Sequence, residues 1–352
     1  MSERLPAATN DAVSLTQVAE RAGVSIATAS RVINGVAKKA SGATTARVRA
    51  AVAELGYRPI SVGRALRQGQ SRLVALFAAN LANPTMAAIA ASVEAALRAE
   101  GLVMVLCDTH ERPEIQDEYL LEMRAQLSRA IVLLGAVPSP RLQSLEAAGA
   151  PLLFVNRKSP HRPTSPHVGI DNVAAGREVA SYFLRSRIAV AGAIRGALTS
   201  SASEDRIRGF RMALAESDQD LPENRVAYSP EGFDHASIGY GAIDRLIPHR
   251  PRTRCGVFCL SDLIAYGAYR RLLERGLRVP EDVLLFGFDD NPLNDYVAPW
   301  LNSVRVPYAE FGDAVVRALD VMAKGKRDGC ALLPHRLVLR SGAGRREPNR
   351  RS

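Results

Sequence analysis

Between residues 14 and 34 the apolar positions recur with a helical period, break once, and resume. Ser14 followed three residues later by Gln17 has the form of a capping box. It predicts a first helix that starts there, turns Val18 and Ala19 inward and ends at Gly23. Ser25 is placed to cap a second helix with Ala29, Val32 and Ile33 on one face and Ile26, Ala27, Thr28, Ser30, Arg31 and Asn34 on the other. A third helix is predicted over 44–55, with Val48, Val52 and Leu55 on one stripe and Gly56 as its stop. Two short helices, a tight turn and a closing third helix match a helix-turn-helix unit, although an amphipathic hairpin inside an unrelated core has the same spacing.

From Arg72 onward the pattern changes to short apolar runs alternating with helical stretches. One group of strands is predicted at 73–77, 102–107, 130–134 and 152–155, and a second at 188–193, 226–228, 256–260 and 283–286. The intervening helices include 86–98, with Ile89, Val93 and Leu97 in line, and 172–184, 205–215, 236–247 and 262–275. Such repetition requires parallel sheets covered on both faces, and about eight strands in two groups imply two similar subdomains. Segments crossing between them are expected near Val168, 302–307 and 333–335.

Composition bounds the classes. The chain has 352 residues, 47% hydrophobic but only 5% aromatic, enough for a small module plus one large or two medium domains. The N-terminus lacks the apolar run of a signal peptide and no stretch of eighteen uncharged apolar residues occurs, so a cytoplasmic, non-membrane protein is expected. Cys107, Cys255 and Cys259 fall in strand-like runs, with Cys255 and Cys259 on one face, and read as core thiols. The histidines, scattered without metal spacing, read as loop or surface residues. No metal or cofactor is expected. Residues 1–70 carry a net charge of +6 and 336–352 one of +5 out of +10, leaving a near-neutral body. A basic end on a neutral body suits phosphate neutralisation and predicts an affinity that falls steeply with salt.

On the helix-turn-helix reading, the second helix is the groove-facing one, with Ser25, Ile26, Ala27, Thr28, Ser30, Arg31 and Asn34 as DNA contacts. Hydroxyls and helix N-terminal amides suit phosphate oxygens, Arg31 a guanine edge, and Ile26 or Ala27 a thymine methyl. No enzymatic signal competes. The sequence has no Gly-x-x-x-x-Gly-Lys-Ser/Thr phosphate loop, no His-Glu-x-x-His helix and no Gly-x-Ser-x-Gly elbow, and Gly239-Tyr240-Gly241 lacks a third glycine, so no catalytic residue is assigned.

Val18-Ala19, Ala22-Gly23-Val24-Ser25, Ser30-Arg31-Val32-Ile33-Asn34-Gly35 and Glu54-Leu55-Gly56-Tyr57-Arg58-Pro59 together resemble the headpiece of the LacI/GalR family of bacterial transcription regulators. Departures are a 36–40 loop one residue longer than usual, Ala40 for a common Val and Thr45 for a common Arg. The resemblance implies an all-α helix-turn-helix headpiece (1–58) and a hinge helix or linker (59–70). An α/β, two-subdomain, periplasmic-binding-protein-like effector and dimerisation domain with parallel sheets would follow (71–342), and then a basic tail (343–352) expected to be disordered. Within 59–70 it implies that Leu66, beside Arg67, wedges between base pairs from the minor groove; the alternative is a plain linker.

In open parallel sheets, ligands sit beyond the carboxyl ends of the strands. Loops there match family marks at Asn83-Pro84, Asn156-Arg157, Arg206-x-x-Gly209-Phe210, Ser261-Asp262 and Gly287-Phe288-Asp289-Asp290. The effector-binding candidates are therefore Asn83, Asn156, Arg206, Asp262 and Asp289, together with Phe233 as the aromatic left for the site once Thr85 and Met86 stand where aromatics are frequent. Asp289 would accept from ligand hydroxyls and Arg206 donate in a planar fork, which suits a sugar, sugar acid or polyol. Both could instead bridge the subdomains or cap helices. Two marks are missing: Ser128-Arg129 replaces Asp-Gly, and Arg185-Ser186-Arg187 is shorter than the usual Gly-His-Arg segment. The resulting expectation is a homodimeric regulator, a repressor by resemblance, reading double-stranded operator DNA as a pseudo-palindrome at the nucleoid under control of a small-molecule effector; residues 341–352 lack the leucine repeat of tetrameric relatives. Alternatives of another class are a solute-binding receptor or a sugar-modifying enzyme of related α/β fold.

Overall fold

A computed structural model describes residues 13–34, 40–57, 71–228, 234–247, 251–325 and 329–340. The chain divides into two compact units, Met1–Ser71 and Arg72–Ser352. Leu66 and Arg67, most of the 36–40 loop, Phe233 and the 343–352 tail lie outside the described residues.

In the first unit, helix α1 (Leu15–Ala22) opens with the expected reciprocal cap. The Ser14 N–H donates to Gln17 Oε1 at 2.7 Å and the Gln17 N–H to Ser14 Oγ at 3.2 Å. Gly23 closes the helix at φ 59°, a left-handed conformation in which a Cβ would be strained. Ser25 caps α2 (Ile26–Ile33) by accepting the Thr28 N–H. Helix α3 (Gly42–Leu55) begins two residues before the predicted Thr44, because Ser41 accepts the Thr44 N–H and so acts as its cap. Val18, Ala19, Ala22, Ala29, Val32, Val48 and Ala51 form the buried core, against which Ile33, Val52 and Leu55 pack from the rim. The Arg21–Glu54 ion pair joins α1 to α3 at 2.7 Å but is solvent-exposed, so it contributes well under about 1 kcal/mol.

The second unit alternates between strand and helix up to residue 289 except where β4 leads directly to β5: β1 (Leu73–Ala78), α4 (Pro84–Ala99), β2 (Val103–Asp108), α5 (Pro113–Ala125), β3 (Ala130–Leu134), α6 (Pro140–Ala147), β4 (Leu152–Val155) and β5 (His167–Ile170) make the first run. A second run comprises α7 (Asn172–Arg185), β6 (Ala189–Ile194), α8 (Ser201–Ala215), β7 (Val226–Ala227), α9 (His235–Ala242), β8 (Cys255–Cys259), α10 (Asp262–Glu274) and β9 (Val283–Asp289). The chain ends with α11 (Asn294–Val297), β10 (Asn302–Arg305), α12 (Phe311–Ala323), β11 (Ala331–Leu333) and β12 (Arg336–Val338). Two six-stranded sheets result, ordered β11-β5-β4-β3-β1-β2 and β12-β10-β9-β8-β6-β7. All pairings are parallel except β10 with β12.

The eight-strand expectation therefore undercounts. The three predicted crossing regions are themselves strands, β5, β10, β11 and β12, each three or four residues long and paired onto the edges of the two sheets. They carry the chain from one lobe to the other three times. Helix α12 returns to the first lobe and docks on α4, where Ser92 Oγ donates to Ala309 O and accepts the Gly312 N–H.

Two helix pairs approach unusually closely. A Cβ on Gly209 of α8 would stand 1.9 Å from Val173 O of α7, and one on Gly267 of α10 would stand 1.7 Å from Ala236 O of α9. Gly209→Ala must push α7 and α8 apart, so it is expected to cost roughly 3 kcal/mol and lower the unfolding midpoint by on the order of 5–10 °C, measurable by circular dichroism.

Cys255 and Cys259 are buried on one side of β8 within a single apolar cluster, and Cys107 is half-buried in β2. Burial pushes all three thiols up, away from reactivity. The surface reading of the histidines is corrected. His167 is buried within β5 and held near pKa 4 by that burial, His335 is nearly covered, and His235 faces the cavity described next. Among the described residues no helix is long and apolar enough to cross a membrane, and no three metal-ligating side chains cluster.

Candidate functional site

At the carboxyl ends of the strands, the two lobes enclose a cavity of about 70 Å³. The first lobe contributes the loop after β1 (Asn83, Thr85, Met86), Glu111 after β2, and Asn156 and Arg157 after β4. The second contributes Gly196, Ala197, Leu198 and Ser200 after β6, Ala202, Ser203 and Arg206 of α8, and His235, Leu260, Ser261 and Asp289. Asn83, Asn156, Arg206 and Asp289 are thus brought together as expected. No Phe, Tyr or Trp is among the described lining residues.

Backbone conformation aims the polar groups. Glu111, Asn156 and Asp289 have φ of 56°, 66° and 108°, left-handed values that non-glycine residues rarely adopt. Asn83 caps α4, its Oδ1 accepting the Thr85 N–H at 3.0 Å. Arg206 is anchored on three sides: Nε donates to Asn172 Oδ1 at 2.9 Å, Nη1 donates to Leu260 O at 2.7 Å, and the guanidinium carbon stands 3.4 Å from the centre of the Phe288 ring. Burial lowers its pKa to about 10, so it stays charged at neutral pH. Burial pushes Asp289 up to about 6, and the attraction of Arg206 and a hydrogen bond with Thr85 pull it back. Thr85 belongs to the first lobe and lines the cavity together with Asp289. Lys158 bridges the lobes, with Nζ 2.9 Å from Asp205 Oδ2 and its N–H on Ser201 Oγ. His235 shares a 2.9 Å hydrogen bond with Ser261 Oγ, and burial lowers its pKa, leaving the ring neutral at pH 7.

Asp262 departs from expectation. Its carboxylate does not line the cavity; it accepts from Ser303 Oγ (2.6 Å), the Asn291 N–H (2.7 Å) and Asn294 Nδ2 (2.8 Å), pinning the loop after β9. Gly287 makes this possible, since a Cβ there would lie 2.2 Å from Asp262 Oδ1. Burial, reinforced by Asp289, raises Asp262 to about 7. The sequence reading did not single out Glu111, Ser200, Ser203 and His235 for the cavity. Only the position of Glu111 just past a strand's carboxyl end could have flagged it.

In the first unit, Ser25, Ala27, Arg31 and Asn34 are exposed, Thr28 and Ser30 are half-buried, and Ile26 is 50% exposed. Several of these side chains satisfy themselves on their own helix: Arg31 Nε donates to Ala27 O, Asn34 Nδ2 to Ser30 O, and Ser25 Oγ pairs with Thr28 Oγ1. Bases and phosphates would replace these local partners without stranding a buried group.

A family profile described as bacterial regulatory proteins, lacI family, matches residues 14–59, and one described as a periplasmic binding protein-like domain matches residues 185–342. The HTH-type transcriptional repressor PurR of Pectobacterium carotovorum is 30% identical over 325 residues, covering 91% of this chain and 94% of that protein. The lac repressor dimer bound to operator and an anti-inducer is 25% identical with TM-score 0.79, covering 94% of this chain and 98% of that one. The complex of transcriptional regulator CelR with cellobiose is 28% identical with TM-score 0.68, covering 93% and 99%.

Proposed function

The chain belongs to the LacI family of bacterial regulatory proteins, and from that membership we propose that it is a sequence-specific DNA-binding repressor whose operator affinity is set by a small carbohydrate-like effector. The carrying observation is that one chain joins a capped helix-turn-helix with an outward Ile26-Ala27-Arg31 face to a polar cavity at the carboxyl ends of two parallel sheets. On this reading residues 1–58 read the major groove through Ser25, Ile26, Ala27, Thr28, Ser30, Arg31 and Asn34, and 59–70 form the hinge that places Leu66 and Arg67 in the minor groove. Residues 71–342 bind effector and dimerise, with Asn83, Asn156, Arg206 and Asp289 contacting the ligand and Asp262 holding the loop that carries Asp289. Phe233 keeps its proposed place at the cavity. The protein works in the cytoplasm, at the nucleoid.

The relative CelR is in complex with cellobiose, which supports a sugar-like ligand here. The lining supports the same class: carboxylates and amides suit hydroxyls, and among the described residues it offers no Phe, Tyr or Trp face. The test is selection of bound duplexes from a random library, followed by a thermal-shift screen of sugars. A symmetric consensus plus at least one stabilising sugar is expected. A chain that enriches no sequence, and is stabilised by no sugar, contradicts the proposal.

Dimerisation has a visible candidate surface. Leu293, Tyr296 and Val297, around α11, are 54%, 84% and 63% exposed, an apolar patch that a solitary chain would leave wet. The lac repressor relative is a dimer, and we place the two-fold contact of this chain at that patch. Tyr296→Asp should convert a dimer into a monomer in sedimentation velocity at micromolar concentration, with the unfolding midpoint little changed because the side chain is not in the core.

A further inference from the structure

We propose that Glu111 sets the charge selectivity of the cavity, masking Arg157 so that the site admits neutral polyhydroxylated ligands and turns away their carboxylate-bearing counterparts. The inference rests on the cavity being the effector site.

Glu111 and Arg157 form an ion pair on the first-lobe wall, Nη2 to Oε1 at 2.5 Å, with side chains only 12% and 14% exposed. A guanidinium at such a place is the natural fork for a ligand carboxylate. Here the fork is already engaged. A glutamate in a turn ordinarily extends into water; this one does not, because both His110 and Glu111 adopt left-handed φ (52° and 56°) and the Glu111 N–H is tied to Ala79 O at 2.8 Å. On the opposite wall Arg206 and Asp289 stand as a second cation and carboxylate. The fifth ionisable group among the described lining residues, His235, is neutral because it is buried. Among the described lining residues the charge therefore cancels, and two carboxylates face whatever enters.

A ligand carboxylate would meet Glu111 and Asp289 in a space with little water, where like charges repel far more than in bulk, and it could reach Arg157 only by displacing Glu111. A neutral sugar has no such conflict: its hydroxyls donate to both carboxylates and leave both couples intact. Removing the Glu111 charge while keeping its shape frees Arg157 and reverses the discrimination.

The experiment is titration calorimetry on the full chain with glucose, galactose, ribose and cellobiose, each beside its acid (gluconate, galacturonate, ribonate, cellobionate), for the wild type and Glu111→Gln. The wild type is expected to bind at least one neutral sugar and to bind the matching acid at least ten-fold more weakly. Glu111→Gln should raise the acid-to-neutral affinity ratio at least ten-fold. Wild-type discrimination of less than ten-fold, or an unchanged ratio in the variant, overturns the role of Glu111 while leaving the cavity as the effector site. A wild type that binds no member of either series overturns the effector reading and this inference with it. Should Glu111→Gln fail to fold, Glu111→Asp, which keeps the charge, must retain the exclusion, and the wild-type ratio still decides.

Discussion

Chains carrying Asp289→Asn or Arg206→Lys should keep the operator affinity of the ligand-free protein and lose most of their response to effector. Asp289→Asn keeps the shape, and asparagine tolerates the left-handed backbone that Asp289 adopts at φ 108°. What goes is the charge that accepts ligand hydroxyls. Hydrogen bonds to charged groups are worth about 1.5–3 kcal/mol each, so losing one lowers effector affinity by roughly ten- to hundred-fold. Arg206→Lys keeps the charge but not the planar fork that simultaneously holds Asn172 Oδ1, Leu260 O and the Phe288 face. A loss of similar size is expected, with some cost in stability because Asn172 and Leu260 lose a well-aligned donor. Calorimetric titration of the responsive sugar, paired with fluorescence anisotropy on operator duplex, checks both halves. Unaltered ligand response in the two variants would remove the cavity from the account.

The second large effect belongs to the DNA-facing helix. Arg31→Ala removes the one charged side chain that α2 presents outward and should cost about 1–3 kcal/mol, some five- to hundred-fold, against the preferred sequence. Because the residue is exposed and its only internal partners are on its own helix, the headpiece should stay folded. Ile26→Ala should weaken binding less, and most at a site containing thymine. Leu66→Ala separates hinge from plain linker: a minor-groove wedge predicts weakened specific binding with salt-driven non-specific binding nearly intact, whereas equal loss of both points to a linker. Anisotropy titrations on specific and scrambled duplexes at several salt concentrations distinguish these outcomes.

The parts most legible in the sequence are those fixed by local chemistry. Ser14 with Gln17, Gly23 and Ser25 declare helix ends within a few residues of themselves, and the structure places α1 and α2 accordingly. The alternation of strands and helices from Arg72 onward was equally clear, because buried parallel strands are apolar on both faces. Crossing strands such as His167–Ile170 and Ala331–Leu333 escaped it: four and three residues are too few for a period, and one begins with a histidine. At the cavity, family marks in loops beyond strand ends pointed to Asn83, Asn156 and Asp289, and the Arg-x-x-Gly-Phe mark, which falls within α8, to Arg206. Neighbours in sequence misled for Asp262, which adjoins the lining residue Ser261 yet turns toward Asn291, Asn294 and Ser303. Glu111 reads as a surface residue until two successive left-handed residues fold it inward.

The central claim is that one ligand in the cavity and one duplex on the headpiece act on each other, and binding linkage makes it quantitative. The decisive measurement is a thermodynamic square: sugar affinity with and without saturating operator, and operator affinity with and without saturating sugar, in one buffer. The account predicts that each partner changes the other's affinity by at least about five-fold and by the same factor. Sugar affinity that is identical in the presence and absence of operator would contradict it.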